Sequence, residues 1–194
     1  LKRNDLTPGE RDEYLDIIIT ESERLAELAT NVLNLSKIEE QTIVTDRKRF
    51  NVSEQIRLVI TLLDSKWHKK QIEFSCHCDE VFINGNEELL KQVWINLIDN
   101  AIKFSPDHGR VEIWIAPSGQ KVLFTVFNQG ESITKETAAH IFDKFFQGDA
   151  SHTTKGNGLG LTIAKKIIEL HGGAIRVNDQ IENGTAFDVE LPVE

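Results

Sequence analysis

Methionine is missing altogether from the 194 residues, tyrosine occurs once and cysteine twice. Without a methionine there is no native start, so the chain is expected to be a processed or excised piece of a longer product. Also missing is any apolar run of 18 residues, which leaves no candidate for a membrane-spanning helix, and no signal-peptide pattern opens the chain. Positive charge is scarce: 22 Lys and Arg stand against 31 Asp and Glu, a net charge of −9. That balance argues against nucleic acid, whose phosphates demand clustered cations. It does not argue against a nucleotide, which needs only a few local ones. The two cysteines, Cys76 and Cys78, lie in the alternating run Ile72 to Cys78. On a strand their thiols share a face and His77 takes the other, a poor start for a metal site with no further ligands nearby. Reduced, ordinary strand cysteines are the expectation.

What is present is ordinary for a soluble globular chain, with 40% hydrophobic and 27% charged residues. The length allows one well-buried core with an appendage, or at most two small domains. Thr7-Pro8-Gly9-Glu10 is a helix start, with a Thr cap, Pro at the first helical position and Glu three after the cap. Leu15, Ile18, Leu25, Leu28, Val32, Leu35 and Ile38 then recur at helical spacing, which predicts one long helix with an apolar stripe. Such a stripe needs a partner helix, and none follows it in the sequence. The partner must come from upstream or from another chain; the alternative is a helix packed on the main domain.

Near Ile43 the pattern changes to alternating elements, dividing residues 1–44 from a compact domain at 45–194. A short strand at Phe50 and Val52 leads to a helix that Ser53 can cap and that runs to about Lys69. Ile72 to Cys78 and Val81 to Ile83 are expected as strands joined by a tight turn. Asn86 can cap a helix reaching Phe104, which Ser105-Pro106 ends. Strands at Arg110 to Ala116 and Lys121 to Phe127 follow, joined by Pro117-Ser118-Gly119. Thr134 starts a short helix to about Asp143, a polar loop covers Gln147 to Asn157, and a helix runs from Leu159 to Leu170. Strands at Ala174 to Asp179 and Thr185 to Leu191 close the chain. Three helices against a five- to six-stranded sheet make a two-layer α/β sandwich.

Four motifs stand in order. On the helix ending at Phe104, Asn96, Asn100 and Lys103 share one face at spacings of four and three. Two amides and a cation there suit a Mg–phosphate group, because Mg²⁺ takes hard oxygen ligands and few of them from protein. A solvated polar face is the bland alternative. Second is Phe127-Asn128-Gln129-Gly130-Glu131-Ser132-Ile133 at a strand end. Third is Ile141-Phe142-Asp143-Lys144-Phe145-Phe146, and fourth Gly156-Asn157-Gly158-Leu159-Gly160-Leu161 at a helix start. Glycines there let the backbone approach phosphates, and the helix N-terminus offers free N–H groups. A polar loop rather than a strand precedes that turn, so it is no dinucleotide fingerprint, and no Gly-Lys-Ser/Thr makes it a P-loop. From Lys144 to Lys166 four lysines and His152 face only Asp149, a local inversion of the chain's charge.

The ordered set resembles the N, glycine, F and glycine boxes of histidine kinase catalytic domains, extended by Asn183-Gly184-Thr185-Ala186-Phe187. Residues 1–44 are similar to the second helix of that family's dimerisation hairpin. The resemblance implies a Bergerat-type ATP-binding fold with a mobile lid, and ATP with Mg²⁺ as cofactors. Position by position it implies Asn100 as the Mg²⁺ ligand, Asn96 assisting at the phosphates, Lys103 and Lys144 on phosphate, and Phe104 on adenine. Asn128 takes the place of the aspartate that accepts from the adenine amino group, with Gly130 shaping the pocket and Thr185 supporting it. Ile133, Phe146 and Leu159 complete the pocket, and Lys155, Gly156, Gly158 and Gly160 serve the lid and the phosphates.

Ser132 stands where the family has a second glycine. None of the six histidines (His68, His77, His108, His140, His152, His171) sits in the family's acceptor context of an acidic residue and a following proline. The implied partners are an upstream dimerisation helix bearing the acceptor histidine, a response regulator, and a second copy in a homodimer. Neither nucleic acid nor membrane contact is expected of this stretch, which would be the cytoplasmic part of a membrane sensor. Two alternatives remain open, a superfamily ATPase and a nucleotide-binding signalling module that no longer turns ATP over. The ATPase chemistry needs a glutamate four residues before Asn100, and Asn96 stands there, unable to act as a base.

Overall fold

The computed structural model describes residues 7–147, 157–178 and 181–193. Helix α1 (Pro8–Glu39) starts as the sequence predicts: Thr7 and Glu10 exchange hydrogen bonds in a capping box. Its last turns dock on the rest of the molecule, burying Leu35 and Ile38. Further up the helix Leu15, Ile18, Leu25 and Val32 remain 37–65% exposed, so most of the apolar stripe is uncovered.

The main sheet has the order β2-β4-β5-β7-β6, built from β2 (Glu73–Cys78), β4 (Arg110–Ser118), β5 (Lys121–Gln129), β7 (Gly184–Pro192) and β6 (Ala174–Asn178). The pairings are antiparallel except for β2 beside β4. Helices α2 (Val52–Leu62), α4 (Glu87–Phe104) and α6 (Gly160–Leu170) form the second layer, giving the expected two-layer α/β sandwich. Short helices α3 (Asp64–Lys69) and α5 (Lys135–His140) lie in the connections. Trp94 of α4 is buried against Phe124 of β5, ring centroids 4.8 Å apart, and its indole N–H donates to Gln55 Oε1 at 2.8 Å. The buried aromatic therefore keeps a partner for its one polar atom.

Several local expectations change in three dimensions. Residues 72–78 and 81–83 do not form neighbouring strands: β3 (Phe82–Gly85) leaves the main sheet and pairs with β1 (Lys48–Asn51) in a separate two-stranded ribbon. The connection is drawn toward α2, because Ser53 Oγ donates to Asp79 O and accepts from Val81 N–H, while Val52 N–H donates to Val81 O. Ser53 is thereby occupied, and Asn51 caps α2 in its place by accepting from Glu54 N–H. The helix expected to reach Lys69 breaks at Leu63; the Trp67 indole takes the Ile60 carbonyl at 3.2 Å, as a capping donor does. Pro117 and Ser118 belong to β4, leaving Gly119 and Gln120 as the turn, and α5 stops at His140 rather than Asp143. Cys76 and Cys78 are joined in a disulfide, correcting the expectation of free thiols; sharing one strand face brings their sulfurs together. Asp179 lies outside the described residues.

Both ends of α4 are fixed by distant residues. At its C-terminus Lys70 Nζ donates to the carbonyls of Ile102, Lys103 and Ser105 at 2.7–3.0 Å. A cation there satisfies carbonyls the helix leaves open and complements its dipole. At the N-terminus Asn86 N–H donates to Nε2 of buried His171, whose Nδ1 donates to Ile167 O. An imidazole that accepts on one nitrogen and donates on the other is neutral. Burial holds its pKa below the ordinary histidine value; the Ile167 carbonyl opposes the shift and the Arg47 charge adds to it. Because the folded-state pKa is depressed, this contribution to stability is whole above about pH 6.5 and is lost as pH falls below it. Urea melts from pH 7.5 to 5 are expected to show a stability loss on acidification that is absent in His171→Gln. A parent and variant with parallel profiles would remove His171 as the cause.

Candidate nucleotide-binding site

Helix α4 lies between α2 and α6 in the helical layer. Asn96, Asn100 and Lys103 are half-buried on it, and their neighbours Leu97, Ile98, Ala101 and Ile102 point into the core. Asn96 abuts the start of α6: a Cβ added to Gly160 would lie 3.4 Å from Asn96 Oδ1. Its Nδ2 is buried with no hydrogen-bond partner. Asn100 makes no side-chain hydrogen bond with a described residue. Burial lowers the pKa of Lys103 from the usual lysine range, opposed by the carboxylates of Asp99 and Glu27. Its ammonium sits 4.6 Å above the Phe104 ring.

The end of β5 brings a second group together. Asn128 is 3% exposed and lies between Val111 on β4 and Thr185 on β7. Gly130 adopts φ 152°, and a Cβ there would meet the Phe104 carbonyl at 2.9 Å, so this turn closes directly on the C-terminus of α4. Thr185 Oγ1 donates to Glu131 O, and Ser132 Oγ accepts from Gly184 N–H while donating to Ile181 O. The serine at the glycine position thus ties two loops together. Ile133 packs against the core.

The aromatic segment and the glycine turn form the third group. Phe145 has φ 62°, and its N–H donates to Gly158 O at 3.0 Å. Gly158 itself has φ 66° and touches the backbone of Phe145 and Phe146. Leu159 is fully buried, and Thr162 Oγ1 donates to Phe142 O at 2.9 Å, locking α6 to the segment. Phe146 is half-buried. Lys144 pairs with Glu39 at the end of α1, 2.6 Å away. Lys155 and Gly156, with most of the polar loop, lie outside the described residues.

Among the described residues, buried side-chain polar atoms without a partner number three: Asn96 Nδ2, Ser105 Oγ and Asn157 Nδ2. All three flank this site, on α4, at its C-cap and in the glycine turn. Buried polar groups are rarely left unpaired, so these atoms leave hydrogen-bonding capacity for a ligand. Ser105 and Asn157 escaped the sequence reading because one ended a helix and the other stood among the glycines. The donor set fits a nucleotide with magnesium: an amide oxygen from Asn100, cations at Lys103 and Lys144, and the N-terminus of α6 for anionic oxygens. A three-carboxylate or histidine metal centre is not found among the described residues. No helix among them is long and apolar enough to cross a membrane.

Residues 85–194 match the family described as histidine kinase-, DNA gyrase B- and HSP90-like ATPase. The heme sensor protein HssS of Staphylococcus haemolyticus is 33% identical over 190 residues, which are 98% of this chain and 41% of that protein. Its Staphylococcus saprophyticus counterpart is 32% identical over 94% of this chain and 39% of its own length, so the chain spans about two fifths of these relatives. The nucleotide-free catalytic domain of histidine kinase ThkA superposes with a TM-score of 0.70 at 35% identity, covering 77% of this chain and 97% of that one.

Proposed function

The chain belongs to the histidine kinase-, DNA gyrase B- and HSP90-like ATPase family, and we propose that it moves the γ-phosphoryl group of ATP to a histidine on a dimerisation helix. The observation that carries the site assignment is the set of unpartnered polar atoms on α4, its cap and the glycine turn. On this reading adenine lies against Asn128, Gly130, Ile133 and Phe104, with Thr185 behind. The phosphates lie toward Asn96, Lys103, Lys144 and the start of α6, with Lys155 and Gly156 proposed as further phosphate contacts. Asn100 is the ligand this chain would offer a magnesium ion accompanying ATP, which would supply neutralisation of phosphate charge there.

Lys103 is already partly desolvated, so pairing with phosphate costs it little further hydration. The acceptor imidazole attacks with a ring lone pair: its nitrogen bonds to phosphorus as the bond to the bridging oxygen breaks and ADP leaves. That step asks for positioning and charge neutralisation rather than a protein base, in keeping with an asparagine at position 96.

The uncovered stripe of α1 supports residues 1–44 as one helix of a dimerisation hairpin, completed by an upstream helix with the acceptor histidine and by a second copy. A response regulator is the receiver on this reading, and a membrane sensor the parent. Incubated alone with labelled MgATP, the chain is expected to bind nucleotide and carry no phosphohistidine, since none of its histidines stands in the acceptor context. Supplying a separate hairpin with the acceptor should place acid-labile, base-stable label on the hairpin only. Such label on this chain alone would overturn the assignment of the acceptor to another segment.

A further inference from the structure

We infer that Asn128 lets this site accept 6-oxopurine as well as 6-aminopurine nucleoside triphosphates. The inference rests on the reading above that places the base against Asn128, and it concerns which base is admitted.

Asn128 is almost fully buried, yet its amide is not held in one orientation. Among the described residues, Nδ2 has only a long hydrogen bond, 3.4 Å, to the adjoining Gln129 carbonyl, and Oδ1 accepts none. Thr185, its neighbour across the β5–β7 pairing, directs its hydroxyl to Glu131 O instead. Gly130 leaves the amide open on its other side, where an added Cβ would come within 3.7 Å of Nδ2. A buried amide with so little holding it turns over at small cost, exchanging its donor and acceptor.

That exchange matches the difference between the two bases. A 6-aminopurine presents an amino donor beside a bare N1 acceptor, which an amide meets with Oδ1 and Nδ2. A 6-oxopurine presents an O6 acceptor beside an N1–H donor, and the amide turned by half a revolution meets that pair equally. A carboxylate at the same position has acceptors only: it receives from the amino group of one base or from N1–H of the other, and in each case its second oxygen faces a lone pair, on N1 or on O6. The amide at residue 128 thus completes the pairing with either base, which a group with acceptors alone does not.

The test titrates the parent chain with MgATP and with MgITP, the inosine nucleotide, which has a 6-oxo group and no 2-amino group to add contacts. The parent is expected to bind both within about tenfold. Asn128→Leu, which offers the base edge neither a donor nor an acceptor, should weaken ATP and ITP alike by about tenfold or more, the effect of leaving the polar edge of either base unpaired. A parent that takes ATP but binds ITP more than about 100-fold more weakly overturns the inference and leaves the nucleotide reading intact. An Asn128→Leu variant that binds both nucleotides as the parent does shows that another group reads the base. Should that variant melt early, the parent's own ratio still decides. Failure of the parent to bind either nucleotide would remove the proposed function and this inference together.

Discussion

Replacing Asn100 by alanine is expected to leave the protein folded and lower phosphoryl transfer to a supplied acceptor hairpin at least about 100-fold. The two halves of that expectation come from different faces of α4. The core contacts of this stretch are made by Leu97, Ile98, Ala101 and Ile102, all at most 3% exposed. Asn100 is half-buried on the polar side and bonds to no described residue, so its loss opens no cavity and strands no partner. Alanine is also the better helix former, by a few tenths to about 0.7 kcal/mol, so the melting temperature should hold or rise slightly. Function has no such reserve, since Asn100 is the metal ligand this reading assigns. Groups that merely orient metal ligands already contribute roughly 10–100-fold, and a direct ligand should exceed them. The decisive measurement pairs a melt with a time course of hairpin labelling at saturating MgATP. Transfer within a few-fold of the parent, by a variant that melts normally, would sink Asn100 as the magnesium ligand.

The extent to which the site was legible differs between its parts for a physical reason. Helix α4 was readable end to end because its signals are local: Asn86 accepts from Leu89 N–H three residues on, and Ser105-Pro106 stops the helix where it stands. The same holds for the Thr7–Glu10 box and the Thr134 cap. What sequence reading missed depends on groups far apart along the chain. Lys70 capping α4, His171 holding Asn86, and Glu39 pairing with Lys144 each join segments that no periodicity connects. The parallel partnership of β2 with β4 is of this kind too. Alternation marks both as strands, but pairing was decided by Ser53 turning the following connection toward α2. The orphaned amides are least legible of all, because an unpaired atom is defined by everything around it. Asn157 stood in plain view inside the glycine turn, and only the packing around it shows that its Nδ2 is buried with nothing to bind.

Gly158→Ala is expected to lower the melting temperature by roughly 5–15 °C and weaken ATP binding more than about tenfold, two losses with one origin. Gly158 has φ 66°, a conformation that costs an L-residue roughly 1–2 kcal/mol. A Cβ there would also lie 2.7 Å from both the Phe145 carbonyl carbon and the Phe146 oxygen, and 2.9 Å from Phe145 Cα. Those are backbone atoms, so no rotamer change relieves the clash, and overpacking of this kind adds about 1–3 kcal/mol. The aromatic segment must move away, and with it the 3.0 Å hydrogen bond from Phe145 N–H to Gly158 O. That contact holds Lys144 and Phe146 beside the first turn of α6, where the phosphates are proposed to bind, so affinity should fall along with stability. Gly119→Ala supplies the comparison: its φ is 63°, but no atom lies within 4 Å of an added Cβ, and it sits in the β4–β5 turn away from the site. It should show the backbone cost alone, roughly 1–2 kcal/mol, with ATP affinity unchanged. The difference between the two variants isolates the contact between the aromatic segment and the glycine turn. Equal losses of stability, with ATP binding untouched in both, would mean that this contact neither strains the fold nor shapes the site.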